Sequence, residues 1–418
     1  MEAGELCVYS AKAPARGLLR RNALFRRMWS AQTLSFFGDA ITGIAVPTVA
    51  VLSLDASPLA VGALTSLSWA AWPLIGLPAG VWVDRLPRRP ILVSADLVRL
   101  VLVLSIPVAW ASGHLTLAQL LVVATLAGAC SVFFDLTFTA AVPDVVPPED
   151  LASANGRLEL SGSASRLTGP GLAGLVISGV GAPLALIGDV VSFAASAFLL
   201  GTGPALTRRD TPGERRAFLH ELREGFAALR RFRPIYEATF AAAISNLGNT
   251  MSQGAFFVFA YRSVGLTPAL VGAALTAGAL GNMAGAAASP RLSRRLGTGP
   301  ALLVSTVLEG GAALFYPLAL LGAPVLWIAV GLGFRSFFGP LWNVTAATMR
   351  QILVPAELQG RLTAAARAIG MSVTPVGGLL GGAIAATASP AWALAAAGVV
   401  GASSILPILN RRMFLLRI

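Results

Sequence analysis

Lysine is almost missing from this sequence. Lys12 is the single copy, which leaves 30 of the 31 basic residues as arginine. It has no glycine-rich loop before it, so there is no Walker A phosphate cradle and no P-loop hydrolysis of ATP. Histidine and cysteine are nearly as scarce. His114, His220, Cys7 and Cys130 form no Cys/His cluster that would hold a metal, and no disulfide framework. A G-x-S-x-G nucleophile elbow is absent as well. These gaps argue against an enzyme, and no cofactor or metal is expected. Charge is the last shortage: 12% of residues are charged, 56% are hydrophobic, and mean hydropathy is +0.74.

What fills the sequence is long apolar runs. Leu59 to Val83, Leu115 to Val132 and Ala301 to Leu321 each approach the length that crosses a bilayer. A soluble domain has no interior large enough to hide about twelve of them. Breaks at Gly, Pro and charged clusters predict spans over 29–52, 59–83, 91–111, 115–140, 157–179 and 183–204, then 236–261, 267–290, 299–320, 324–348, 361–386 and 391–409. The first run follows Arg26 and Arg27 as a signal peptide would. It continues through Asp39 without a small-residue cleavage site, so it is read as a retained span. The expected division is a tail (1–28), a six-helix bundle (29–206), a linker (207–235), a second bundle (236–410) and a short tail (411–418).

The net charge of +12 would suggest nucleic acid in a soluble protein, but its distribution argues otherwise. Basic residues cluster at Arg16 to Arg27, Arg85/Arg88/Arg89, Arg208 to Arg233, Arg291/Arg294/Arg295 and Arg411/Arg412/Arg417. The intervening loops lack them, apart from Arg262. By the positive-inside rule this places both termini and the linker in the cytoplasm of a bacterial inner membrane protein. Within the linker, Phe218, Leu219, Leu222, Phe226 and Leu229 share one helical face, suited to the inner membrane surface or simply to a helix joining the halves.

The two halves repeat at an offset of about 206 residues. Ser35 to Asp39 pairs with Ser245 to Asn249, and Arg85 to Arg89 with Arg291 to Arg295. Phe133-Phe134 pairs with Phe337-Phe338, and Val146 to Glu149 with Val354 to Glu357. Pro170 pairs with Pro375. Six spans per half in the same order make the repeat parallel, about an axis normal to the membrane, with a site between the bundles.

The stretch "GVWVDRLPRRP" at 80–90 resembles the signature between spans 2 and 3 of the major facilitator superfamily, with Gly80, Asp84, Arg85, Arg88 and Arg89 at the motif positions. Pro87 replaces the usual second glycine, so that turn must form without a positive φ. "SRLTGPGLAG" in span 5 is similar to the G-P-x-x-G-G element of drug–proton antiporters. It matches at Gly169, Pro170 and Gly174 and departs at Ala173. The texture of 133–178 and 337–385 resembles the branch of macrolide and siderophore exporters. The resemblance implies an all-α membrane fold of twelve helices in two six-helix bundles. It also implies a monomer, and efflux of a drug, antibiotic or secondary metabolite in exchange for protons; the alternatives are a narrow-specificity siderophore or metabolite exporter, a passive facilitator, or a non-transporting membrane sensor or membrane-embedded enzyme. By the same resemblance Asp84 is a gate residue that latches the first half near Gly360 and Arg361. "GPGLAG" also satisfies G-x-G-x-x-G, but inside an apolar helix it reads as close helix packing, not as a dinucleotide site.

Ionisable residues inside spans cost about 2.5–3.5 kcal/mol each at mid-depth, so each is a functional candidate. They are Asp39, Asp96, Arg99, Asp135, Arg166, Asp189, Glu309, Arg335 and Arg367. Asp39, whose repeat mate is the neutral Asn249, is the first candidate for carrying a coupling proton, and Asp135 the second. The competing reading of Asp39 is a permanently paired or helix-capping carboxylate. Asp135 and Arg335 form a cross-half pair, touch cargo or simply pack. Asp96 and Arg99 read as a local ion pair supporting the signature loop, and the remaining four as structural partners. Phe36, Phe134, Phe338 and Trp342, with Asn249 and Arg335, are candidates for the cavity wall. An aromatic wall beside a carboxyl suits an amphiphilic cargo.

Overall fold

The computed structural model describes residues 17–83, 85–202 and 218–415. It is helical throughout, with no strand among the described residues. Ten helices are long and apolar enough to cross a membrane. The other two long helices, Leu151–Val180 and Arg233–Val258, have 30 and 26 residues, are richer in polar side chains, and pack among the rest as spans 5 and 7. Twelve spans result. Span 1 is Ala23–Thr48, span 2 Pro58–Val83, span 3 Arg88–Ala111, span 4 Leu117–Val145, span 8 Pro268–Leu296 and span 10 Pro324–Leu353. Span 6 is broken between Ala182–Ala185 and Ile187–Gly201, span 9 between Thr298–Gly311 and the 3₁₀ segment Ala312–Leu321, and span 11 between Ala356–Ser372 and Thr374–Thr387. Span 12 is Pro390–Ser403, continued by Leu406–Ile408.

Local geometry follows the repeat. Spans 1 and 7 both widen at their ends into a π-helix, at Val49–Ser53 and Phe259–Ser263. In each, a residue in the left-handed region follows, Asp55 (φ 46°) and Gly265 (φ 65°). The closing bonds correspond as well: Leu54 N–H to Val49 O and Ala56 N–H to Ala50 O, against Val264 to Phe259 and Leu266 to Ala260. Gly265 holds its backbone geometry without steric cost, whereas Asp55 tolerates it as a short polar residue.

Two close seams join the halves, span 2 to span 11 and span 5 to span 8. They rest on glycines that meet backbone to backbone. A side chain at Gly62 would land 2.5 Å from the Gly378 carbonyl, and one at Gly174 would land 2.5 Å from the Pro268 carbonyl. The packing expected of "GPGLAG" is thus a contact between halves through Gly174, while Gly169 faces Ala40 of span 1. Pro170 lends its carbonyl to the approach of Gly272. Gly62→Leu is expected to push spans 2 and 11 apart and destabilise the protein by about 1–3 kcal/mol. Thermal unfolding in lipid nanodiscs reads this, and an unchanged midpoint would mean the seam is plastic.

The apolar cores show which end is shut. One core spans both halves, uniting Ile44, Val49 and Val61 with Phe256, Phe259 and Val271. It lies towards the loops after spans 1 and 7. At the end carrying the termini each half has its own core, with Phe25, Phe134 and Leu200 in one and Ile235, Leu302 and Met349 in the other. The halves are therefore joined at the far end and parted at the terminal end.

One local expectation is corrected. Span 8 does not stop at Pro290 but runs to Leu296, so Arg291, Arg294 and Arg295 stand on helix rather than in a turn. Arg294 and Arg295 occupy its last turn, where cations favour the helix dipole. The linker helix, Phe218–Arg231, docks on span 11. Ala228 and Leu229 are buried there, and Glu224 accepts from Arg361 at 2.5 Å. Asp84 lies outside the described residues; among the described ones, Glu224 is a carboxylate that meets Arg361.

Candidate functional site

A cavity of about 650 Å³ lies between the halves, walled by spans 1, 2, 3, 4 and 6 of the first and 7, 8, 9 and 10 of the second. Its first-half wall is built around Arg99 on span 3. The guanidinium, only 3% exposed, pairs with the fully buried Asp96 one turn earlier. It lies between the rings of Phe134 and Phe193, 4.6 and 4.4 Å from their centroids. Asp96 also accepts from Ser196 Oγ at 2.6 Å. Lying against two rings while one Nη bonds a carboxylate is a task for a planar guanidinium. The Asp96–Arg99 pair thus exists, but it sits in the membrane-embedded wall rather than under the signature loop.

Asp189 on span 6 borders the same cavity and is buried from water. Thr42 of span 1 donates to its Oδ2, and Ser192 Oγ donates to its Oδ1 at 2.9 Å. Gly38 admits this contact, because a side chain there would collide with both Asp189 and Ser192. Asp39, the next residue, is exposed to the cavity. Arg99 interacts electrostatically with Asp39, Asp135 and Asp189 as well as Asp96. Four carboxyl groups from spans 1, 3, 4 and 6 therefore share one guanidinium. If all were ionised they would exceed it by three charges, a surplus that a low-dielectric wall opposes unless a cation or protons join it.

The second-half wall carries Arg335 on span 10, which lines the main cavity and a small side pocket. Its electrostatic partner is Glu309 of span 9. No ion pair joins Asp135 to Arg335; Asp135 is exposed but absent from the cavity wall. Polar and aromatic contacts cross between the halves here. Trp69 Nε1 donates to Gln253 Oε1 at 3.3 Å, and Gln253 Nε2 donates to Asn249 Oδ1 at 3.2 Å. Arg367 stands over the ring of Trp72 at 5.6 Å.

The closed end is sealed by paired groups. Tyr261 and Thr48 share a buried hydroxyl contact of 2.7 Å, and Arg262 reaches Asp55 at 2.7 Å and the Val51 carbonyl at 3.1 Å. Tyr261→Phe is expected to weaken this closure by about 1 kcal/mol, or about fivefold. Thr48 keeps its bond to the Ile44 carbonyl, so no hydroxyl is orphaned. A cysteine introduced at Ala50 should then react about fivefold faster with a water-soluble maleimide, and an unchanged rate would remove the hydroxyl pair from the closure.

The named candidates separate clearly. Asp39 and Arg335 line the cavity, and Asn249 lines the side pocket. Phe134 does not reach the cavity; it is 1% exposed and backs Arg99. Phe36 packs on span 5 beside Gly162, with its carbonyl accepting from Ser165. Phe338 packs edge-on against Phe334 and Phe337, and Trp342 joins the second half's own core. Of the signature loop, Arg88 bonds the Ala140 carbonyl and the Asp144 carboxylate, tying span 3 to span 4. Gly80 is half-buried at the end of span 2, Arg85 is exposed and Arg89 is half-buried in the first turn of span 3. Pro87 (φ −60°) caps span 3, so this position of the turn needs no positive φ. Among the cavity residues that sequence reasoning missed are Trp69, Trp72, Gln253 and Tyr316. For Gln253 a signal existed, since Ser245, Asn249 and Gln253 make a polar stripe at four-residue steps along span 7.

Residues 28–375 match the sequence profile described as Major Facilitator Superfamily. A Bacillus subtilis (strain 168) protein named "Uncharacterized MFS-type transporter YfiS" is 23% identical over 373 residues, 87% of this chain and 86% of its own length. The Mycobacterium tuberculosis (strain ATCC 25618 / H37Rv) "Uncharacterized MFS-type transporter Rv0037c" is 30% identical over 147 residues, 35% of this chain and 33% of its own. Among solved structures, a bacterial homologue of the iron transporter ferroportin in an inward-facing state has a TM-score of 0.72 at 18% identity, covering 94% of this chain and 100% of that one. The nucleoside transporter NupG has a TM-score of 0.67 at 13% identity, covering 94% and 100%. At such identities the likeness is one of fold.

Proposed function

Because the chain belongs to the Major Facilitator Superfamily, and so is a membrane transporter of small molecules, we propose that it expels an amphiphilic, partly aromatic compound in exchange for protons. The observation that carries the reading is Asp39: one water-exposed carboxyl in a cavity otherwise rich in Trp, Phe and Tyr. A carboxyl exposed in a cavity that opens to alternate sides can bind a proton on one and release it on the other. The rings of Trp69, Trp72, Phe256 and Phe257 offer apolar surface to a drug or secondary metabolite. Asp135, within electrostatic reach of Asp39, is the second member of the proton path.

The arginine clusters support a bacterial inner membrane location with both termini in the cytoplasm. With that orientation, the parted end faces inward and the Tyr261–Thr48 and Arg262–Asp55 contacts close the outer side. The test is uptake of a panel of amphiphilic compounds into everted vesicles, with and without a proton gradient. Accumulation that collapses with the gradient is expected. Movement that ignores the gradient would make the protein a passive facilitator, and no movement of any amphiphile would overturn the cargo class.

A further inference from the structure

A second large groove lies away from the central cavity, on the flank of span 7 in the second half, and encloses about 620 Å³. Arg230, near the end of the linker helix, and Arg233, the first residue of span 7, stand at its mouth. Tyr236, Phe240 and Ile244 descend from there at four-residue steps, each about 6 Å along a helix. Pro407, at the end of span 12, supplies the facing wall. The Tyr236 and Phe240 rings meet at 4.7 Å, and Phe240 remains 37% exposed.

Charge in the groove is unbalanced towards positive. Glu237 is the one acid among the described residues that line it, and both carboxylate oxygens are engaged: Oε1 accepts from Arg233 Nε at 2.9 Å and Oε2 from Asn410 Nδ2 at 2.8 Å. Arg233 uses only Nε in this bond, which leaves both Nη groups for another acceptor. Arg230 forms no ion pair among the described residues, so its whole fork is available. Two guanidinium groups at the edge of a span, above an apolar stripe that runs into the bilayer, match a phosphate with an acyl chain below it. Arginine forks suit phosphate oxygens, and basic pockets at this depth attract anionic headgroups. A soluble phosphate would engage only the mouth and leave the stripe unused.

We propose that this groove holds one anionic phospholipid of the leaflet on the side of the termini, with its phosphate at Arg230 and Arg233 and an acyl chain along Tyr236, Phe240 and Ile244. The inference does not depend on the cargo or on proton coupling. The test uses the delipidated full-length protein in detergent, titrated with dioleoyl-phosphatidylglycerol or dioleoyl-phosphatidylcholine and read by native mass spectrometry. One tightly held phosphatidylglycerol is expected. Its affinity should fall about tenfold in the Arg230→Gln/Arg233→Gln variant. It should also fall in Ile244→Trp, which fills the acyl path, with phosphatidylcholine binding unchanged throughout. Arg230→Gln alone, which breaks no ion pair, keeps the test valid if the double variant folds poorly. Equal phosphatidylglycerol binding by wild type and variants overturns the proposal. So does displacement of the lipid by millimolar inorganic phosphate together with no effect of Ile244→Trp, which would mark a soluble-phosphate site.

Discussion

Asp39→Asn is expected to leave a folded protein that equilibrates cargo but no longer concentrates it. If one proton is exchanged per cargo molecule, each pH unit across the membrane is worth about 1.4 kcal/mol, or about a tenfold concentration ratio. In everted vesicles with the membrane potential clamped at zero, wild type should approach that ratio and Asp39→Asn should fall to about one. Counterflow exchange of labelled for unlabelled cargo should survive, because the rings that form the apolar wall are untouched. That pairing separates coupling from folding and from binding. Asn is nearly isosteric and keeps an oxygen that can accept from the buried Ser35 hydroxyl, the side-chain hydrogen-bond partner of Asp39. A variant that still concentrates cargo with normal dependence on pH would move coupling elsewhere in the carboxyl cluster. Asp135 would then be the next position to test, since it is the other exposed member.

The fold was legible because the bilayer makes a coarse demand. About twenty apolar residues per span, with arginines between alternate spans, is a signal that survives uncertain boundaries. The twin motifs Ser35 to Asp39 and Ser245 to Asn249 also announced their matched ends. Both lead into π-helical turns followed by a left-handed residue. Ionisable residues marked the cavity for a related reason. A charge in a span is costly unless it finds partners or water, so Asp39, Arg99, Asp189 and Arg335 all converge on one place. What they do there was less legible. Asp96 and Arg99 share a helix face, which suggests a local pair but not that two phenyl rings from spans 4 and 6 enclose it. Aromatics were the weakest guide. In a helix that is apolar all round, periodicity does not distinguish a cavity face from a packing face. Phe134, Phe338 and Trp342 therefore fell on the packing side, while Trp69 and Trp72, with no charge nearby in sequence, turned out to face the cavity.

Arg99→Ala is expected to be the most damaging single change in the protein. It removes the sole guanidinium that serves Asp96, Asp135, Asp189 and Asp39. Asp96, with no exposed surface, would keep only Ser196 as a partner. Breaking a buried pair from one side costs about 3–5 kcal/mol, because the remaining charge is stranded rather than solvated. Emptying the space between Phe134 and Phe193 adds a packing loss. Arg99→Lys should recover little, since an ammonium cannot fill the slot between two rings as a planar guanidinium does while still reaching the carboxylate. Arg99→Met with Asp96→Asn should recover more, as it fills the slot and removes the stranded charge together. Thermal unfolding of the purified protein in nanodiscs orders these variants directly. A Lys variant as stable as wild type would show that charge alone matters there, and an Ala variant as stable as wild type would mean that water already reaches Asp96. If the predicted order holds, Arg99 is the post on which the carboxyl cluster is mounted. The surplus of negative charge around it is then a feature the fold maintains at a cost in stability, which is the condition under which Asp39 can exchange protons from the cavity.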